Sequence, residues 1–217
     1  MPAPKTDFNA AEIRQLFAST RPPDNPADAA LPEGAAQLPR SVLEQMSGKL
    51  TPAAVLVPLI ERTAGLTVLL TERSPDLKHH AGQVSFPGGR MEAADADIRI
   101  TALRETHEEV GIHPDRVDIV GYLPSTATVT SFAVTPVVGF VDPEVRLVID
   151  PVEVKTAFEV PLAFLMDEAN QETAERKFAG RMIPVTSFYY ADQRIWGATA
   201  SMLVMFRNLL NNSLINS

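Results

Sequence analysis

The chain has 217 residues, 45% of them hydrophobic, and a formal net charge of −8 at pH 7. That is enough apolar material for a core, and the length fits one domain with extensions, with a two-domain split left open. The acidic balance argues against a broad grip on nucleic acid, which needs a basic face, and the absence of cysteine excludes disulfides, thiolate catalysis and cysteine-bound zinc.

In chain order, MPAPKTDFNA lacks the apolar run of a signal peptide, and no apolar stretch approaches the roughly 18 residues of a membrane span. A soluble, cytoplasmic protein with no membrane partner is expected. In 8-FNAAEIRQLF-17, Phe8, Ile13, Leu16 and Phe17 stand near helical spacing and predict a short docking helix. Seven of the 18 prolines lie in the first 39 residues, and RPPDNPADAALPEGAAQLPR reads as an extended linker, so residues 1–40 form a helix and a Pro/Ala-rich arm.

The main domain, residues 50–212, begins with AAVLVPLI (53–60) and LTVLLTER (66–73), paired buried strands around a turn at Ala64-Gly65. A Gly/Pro-rich loop follows. Then 98-IRITALRETHEEV-110 predicts a helix, capped by Asp95 or Asp97 and ended by Gly111. Strands are expected at 117–123, 134–141 and 154–162, the last leading into a short helix. RMIPVTSFYY (181–190) and Arg194–Trp196 suggest a hairpin, and 197–210 an apolar C-terminal helix. Strands and helices mix without strict alternation. The fold class expected is α+β, a mixed sheet sandwiched between helices.

The helix 98–110 raises the chemical question. On a helical wheel Leu103, Thr106 and Val110 share one face, and Glu105, Glu108 and Glu109 cluster on the opposite side. Like charges at i, i+3 and i+4 cost a helix a few tenths of a kcal/mol per pair, roughly. They also stand toward the C-terminus, where the helix dipole disfavours anions. A solvated acidic face is one explanation. The other is a site for divalent cations, which take oxygen ligands and hold substrate phosphates. Arg104 either braces those carboxylates or a nearby loop, or is an ordinary surface charge.

The stretch 86-FPGGRMEAADADIRITALRETHEEVGI-112 resembles the Nudix box, a glycine, a carboxylate and then REuxEExGu, with u aliphatic. Gly89, Arg104, Glu105, Glu108, Glu109, Gly111 and Ile112 match. Asp95 stands where the box has glutamate, the gap from there to the arginine is one residue longer, and Thr106 replaces an aliphatic residue. Glu92, Asp95 and Asp97 compete as the loop carboxylate. Upstream, 69-LLTERSPDLKHHAGQVSFPGG-89 resembles the signature of coenzyme A diphosphatases within the Nudix superfamily, LLTxRS…R…GxxxFPGG, with Lys78 in place of arginine. VTPVVGF (134–140) and IWGATA (195–200) look like that branch too, and the likeness spans roughly residues 50–212.

The resemblance implies a Nudix fold and hydrolysis of the diphosphate of coenzyme A or a derivative, giving 3′,5′-ADP and 4′-phosphopantetheine. It implies Mg²⁺ or Mn²⁺ as cofactor, with Glu105, Glu108 and Glu109 as metal ligands and Arg104 among the catalytic residues. The base is a box glutamate or a later carboxylate, for which Glu153 is the outside candidate. Its alternative is a strand-edge charge. Arg73 and Lys78, from a basic cluster with His79 and His80, are candidates for substrate phosphate, with Gly88 and Gly89 allowing close backbone approach. They could instead only tie down the loop. Rival readings are another nucleoside diphosphate-linked substrate, such as ADP-ribose or a dinucleotide, or a nucleotide-binding module without catalysis. The N-terminal arm and the C-terminal helix each offer a surface for a homodimer.

Overall fold

The computed structural model describes residues 5–32, 50–128, 130–178 and 181–215. Its centre is a hairpin of two buried strands, β2 (Thr51–Arg62) and β3 (Gly65–Arg73). The turn between them is Thr63-Ala64, and Gly65 takes φ +118. β2 also runs parallel to β8 (Phe132–Val141) over ten residues. β3 pairs antiparallel with β9 (Val154–Pro161) and with the short β4 (Val84–Ser85). β6 (Val117–Tyr122) lies against β8, and β5 (Gly88–Arg90) closes on the start of β2. This is the mixed sheet expected.

One face of the sheet carries α3 (Ile98–Val110), whose Ile98, Ala102 and Val110 pack on Leu56, Ile60, Leu69 and Val137. The other face carries α1 (Ala10–Phe17), α4 (Leu162–Met166) and α5 (Gly197–Ile215) in a single larger core. The sheet is therefore sandwiched between helices. The docking helix is the one predicted, with Asn9 and Glu12 forming a capping box. Its Phe17 is fully buried and stacks on Phe206 at 5.6 Å.

Two regions differ from expectation. Part of the linker is ordered: α2 (Pro26–Ala29) is capped by Asn25, and β1 (Leu31–Pro32) pairs with β7 (Thr126–Ala127), while 33–40 lie outside the described residues. The hairpin of β11 (Arg181–Tyr190) and β12 (Gln193–Trp196) gains a third strand, β10 (Gln171–Phe178). QETAERKF has no apolar alternation because β10 is exposed through most of its length, and its pairing with β11 makes it a strand. Among the described residues no helix is long and apolar enough to cross a membrane.

Candidate active site

The site is built on α3 and the strands beneath it. Asp97, not Asp95, caps the helix, accepting from Arg99 N at 2.8 Å and Ile100 N at 3.2 Å. Gly111 ends it at φ +73, its N–H donating to His107 O. The last carbonyls are then taken up by a loop: Val148 N donates to Val110 O and Asp150 N to Glu109 O, at 2.9 and 3.0 Å. That loop leads to Glu153.

Asp95 is the loop carboxylate that matters. Arg104 grips it with Nε at 3.0 Å and Nη2 at 2.9 Å. Thr101 Oγ1 and Glu92 N complete its acceptor sites, each at 2.9 Å. The Arg104 guanidinium, then these backbone and hydroxyl donors, hold the buried carboxyl down to about 2. Glu92 is exposed and contributes its backbone only. Arg104 also donates from Nη2 to Arg90 O, and from Nη1 to Glu105 Oε1 and Glu108 Oε2, each of the last two at 2.9 Å. It therefore ties the glycine-rich loop to the helix. The Thr101 hydroxyl was not foreseen, because a single buried threonine leaves no pattern in sequence.

The three glutamates do not share one environment, and their expected placement is corrected here. Glu108 is exposed, Glu105 half-buried, and Glu109 only 2% exposed. Glu109 stands within the buried face of α3, among Ile98, Ala102, Thr106 and Val110, rather than opposite it. Leu103 is only half-buried. The face is set by contact with β2 and β5, and the helix has no strong apolar stripe to announce it. What admits a carboxylate there is polar company: Gly88 N donates to Glu109 Oε2 at 3.2 Å, and Arg73 Nη1 lies 3.7 Å from Oε1.

Burial is the stronger influence. It pushes Glu109 up to about 8, against the pull of Arg73 and the Gly88 N–H, and with the help of charge on Glu105 and Glu153. Glu105 is raised too, again chiefly by burial, with Arg104 opposing. The charge of Glu153 pushes both helix carboxylates in the same direction. Gly89 leaves room for Glu105, since a Cβ there would stand 2.5 Å from the Glu105 carboxylate. Lys78, His79 and His80 are exposed in the loop after β3, and Arg73 alone of that basic group reaches the helix.

The donor set fits a hard divalent cation: all oxygen, with charged forms held at a cost that a cation would remove. As the side chains stand, Glu105 and Glu108 are turned to Arg104, and among the described residues no three acidic or histidine groups converge on one point. Holding an ion requires those two to turn away from Arg104. Beside Glu108, a shallow cavity of about 400 Å³ opens between the end of α3 and Val148–Asp150.

The NUDIX domain family model matches residues 50–202. The chain is 42% identical over 152 residues to a protein of Klebsiella pneumoniae subsp. pneumoniae, covering 70% of this chain and 78% of that one. It is 40% identical over 168 residues to one of Cronobacter sakazakii, covering 77% and 84%. Both relatives carry the name "Uncharacterized Nudix hydrolase NudL". Among solved structures, a Nudix hydrolase from Alicyclobacillus acidocaldarius is similar at a TM-score of 0.48 and 16% identity, over 76% of this chain and 94% of that one. The chain belongs to the Nudix family.

Proposed function

We propose that this protein hydrolyses the diphosphate bond of coenzyme A or a derivative, releasing 3′,5′-ADP and 4′-phosphopantetheine. The coarser statement follows from the family: a Nudix hydrolase acts on a diphosphate-linked substrate. The observation that carries the finer reading is where the 69–89 stretch folds. Its Arg73 faces Glu109, and its Gly88 and Gly89 lie against Glu109 and Glu105. The residues that resemble the coenzyme A branch therefore meet the residues that resemble the box.

Nudix hydrolases generally use divalent metal ions, and Mg²⁺ or Mn²⁺ is the cofactor proposed here. Glu105, Glu109 and Glu108 would hold it. When bound, such an ion supplies Lewis acidity toward phosphate oxygens and toward water. The chain's own residues do the rest. Arg104 fixes the glycine loop to the helix through Arg90 O and Asp95, and holds Glu105 and Glu108 until an ion draws them away. Arg73 offsets charge beside Glu109 and toward substrate phosphate, with Lys78 a second cation offered from the exposed loop. Glu153, brought in by the loop that seals α3, is the proposed base for the water proton.

The test is incubation with coenzyme A and Mg²⁺ or Mn²⁺, with chromatographic separation of products. Metal-dependent 3′,5′-ADP is expected. Intact coenzyme A beside cleaved ADP-ribose or dinucleotide overturns the branch but keeps the chemistry. Glu109→Gln is expected to lower kcat by about 10²–10⁴-fold with the fold retained. Near-normal kcat at saturating Mg²⁺ removes Glu109 from the assignment.

A further inference from the structure

The loop from β8 to β9 carries two aliphatic side chains that neither core takes up. Val148 is 71% exposed and Val152 70%, the most exposed large apolar residues among those described. Their backbone is nonetheless fixed. Val148 N and Asp150 N donate to the last carbonyls of α3, and Val152 N donates to Asp150 Oδ1 at 2.9 Å. Ser74 N donates to Glu153 O at 2.8 Å. The loop is therefore held against α3 at one end and beside Arg73 at the other. Single exposed valines need no explanation. Here, however, Val148 lines a cavity, and Val152 follows two residues beyond its wall.

That cavity, of about 400 Å³, is walled by His107, Glu108 and Gly111 from the end of α3 and by Val148, Ile149 and Asp150 from the loop. Its volume falls within the roughly 300–1,000 Å³ of small-molecule sites. It adjoins the candidate active site through shared residues. Glu108 is both part of its wall and one of the three glutamates proposed to hold the ion. Asp150 N donates to Glu109 O at 3.0 Å. Glu153, the proposed base, follows Asp150 on the same loop.

The chemistry of the wall selects one end of a substrate. Among the described residues it holds the carboxylates of Glu108 and Asp150 but no lysine or arginine. A phosphate placed there would meet like charge. Aliphatic side chains and carboxylates together suit an uncharged chain that offers methyl groups and N–H or O–H donors. The pantetheine arm of coenzyme A is such a chain, with amide N–H groups, a hydroxyl and geminal methyls. We propose that this cavity is the subsite for the pantetheine arm, with Val148 and Ile149 against its methyls and Asp150 accepting from its donors. The inference rests on the coenzyme A reading, since that substrate has one uncharged end and one phosphorylated end.

Product inhibition separates the two ends of the substrate. In the full-length protein hydrolysing coenzyme A with Mg²⁺, Val148→Asp is expected to raise Ki for 4′-phosphopantetheine and KM for coenzyme A about tenfold, with Ki for 3′,5′-ADP and kcat within about twofold. Val148→Thr, alike in shape and uncharged, should stay within about threefold of wild type in all four. Equal losses in the two variants would give the effect to packing of the loop and overturn the proposal. Ki for 4′-phosphopantetheine unmoved by Val148→Asp, while coenzyme A is still cleaved, overturns the subsite and leaves the proposed function. A rise in Ki for 3′,5′-ADP instead gives the cavity to the adenosine end and overturns the proposal. So does a fall in kcat with KM and both Ki values unchanged, which would assign Val148 to the seating of Glu153. A wild type that leaves coenzyme A intact removes the function, and the subsite with it.

Discussion

At Gly89 an added Cβ would meet only the far end of the flexible Glu105 side chain, whereas at Gly88 it would stand 2.4 Å from Ala54 O and 2.5 Å from Val55 Cα. The two substitutions should therefore part company. Gly89→Ala is expected to melt within a few degrees of wild type but to bind Mn²⁺ about 10–100-fold more weakly, as calorimetric titration would measure, because Glu105 is displaced. Gly88→Ala, at φ +152 and against backbone, should lose more than about 2 kcal/mol in urea unfolding. Asp95 gives a pH signature. Arg104 lowers its folded pKa to about 2, so the pairing contributes fully above the unfolded value of about 4 and is lost as pH falls toward the folded one. The difference in Tm between wild type and Asp95→Asn should shrink from about pH 4 to about pH 2. An undiminished gap at the acid end would rule out the linkage.

At the level of elements, α3 and the loop after β8 behave as one unit. The loop donates to the last helical carbonyls, and a Cβ on Gly111 would stand 2.7 Å from Val148 Cβ. Gly111→Ala is expected to cost about 1–2 kcal/mol from the positive φ and to lower kcat further by moving Glu153. Thermal denaturation and steady-state kinetics on the same variant check both halves. This helix was legible in sequence, its end announced by Gly111 and its start narrowed to Asp95 or Asp97, of which the structure selects Asp97. The carboxylates were legible as a cluster, but not the burial of Glu109. Its position depends on Gly88 and Arg73, which arrive from distant strands. β10, exposed and polar, was invisible for a similar reason: only its ladder with β11 makes it a strand. β4 and β5, of two and three residues, likewise exist through pairing rather than through a pattern of their own.

Across the whole molecule, the mixed sheet separates a small core under α3 from a larger one that α1, α4 and α5 cover. The chain's beginning thus contributes to the same apolar body as its end. Phe17→Ala, at a fully buried ring stacked on Phe206, is expected to cost about 3–5 kcal/mol in urea unfolding. A loss below about 1 kcal/mol would mean that α1 is dispensable to the domain. The apolar pattern near residues 8–17 foretold this helix, but its partner on α5 is a long-range contact that sequence spacing does not encode. Arg104 has a consequence at this scale as well. By pairing with Glu105, Glu108 and Asp95 at once, it offsets from within part of the charge that many small metalloproteins balance only with their ion. On the metal-dependent reading proposed above, assembly and activation are separate events: a cell starved of divalent ions would keep this protein and lose only its turnover, and restoring the supply would revive old molecules without making new ones.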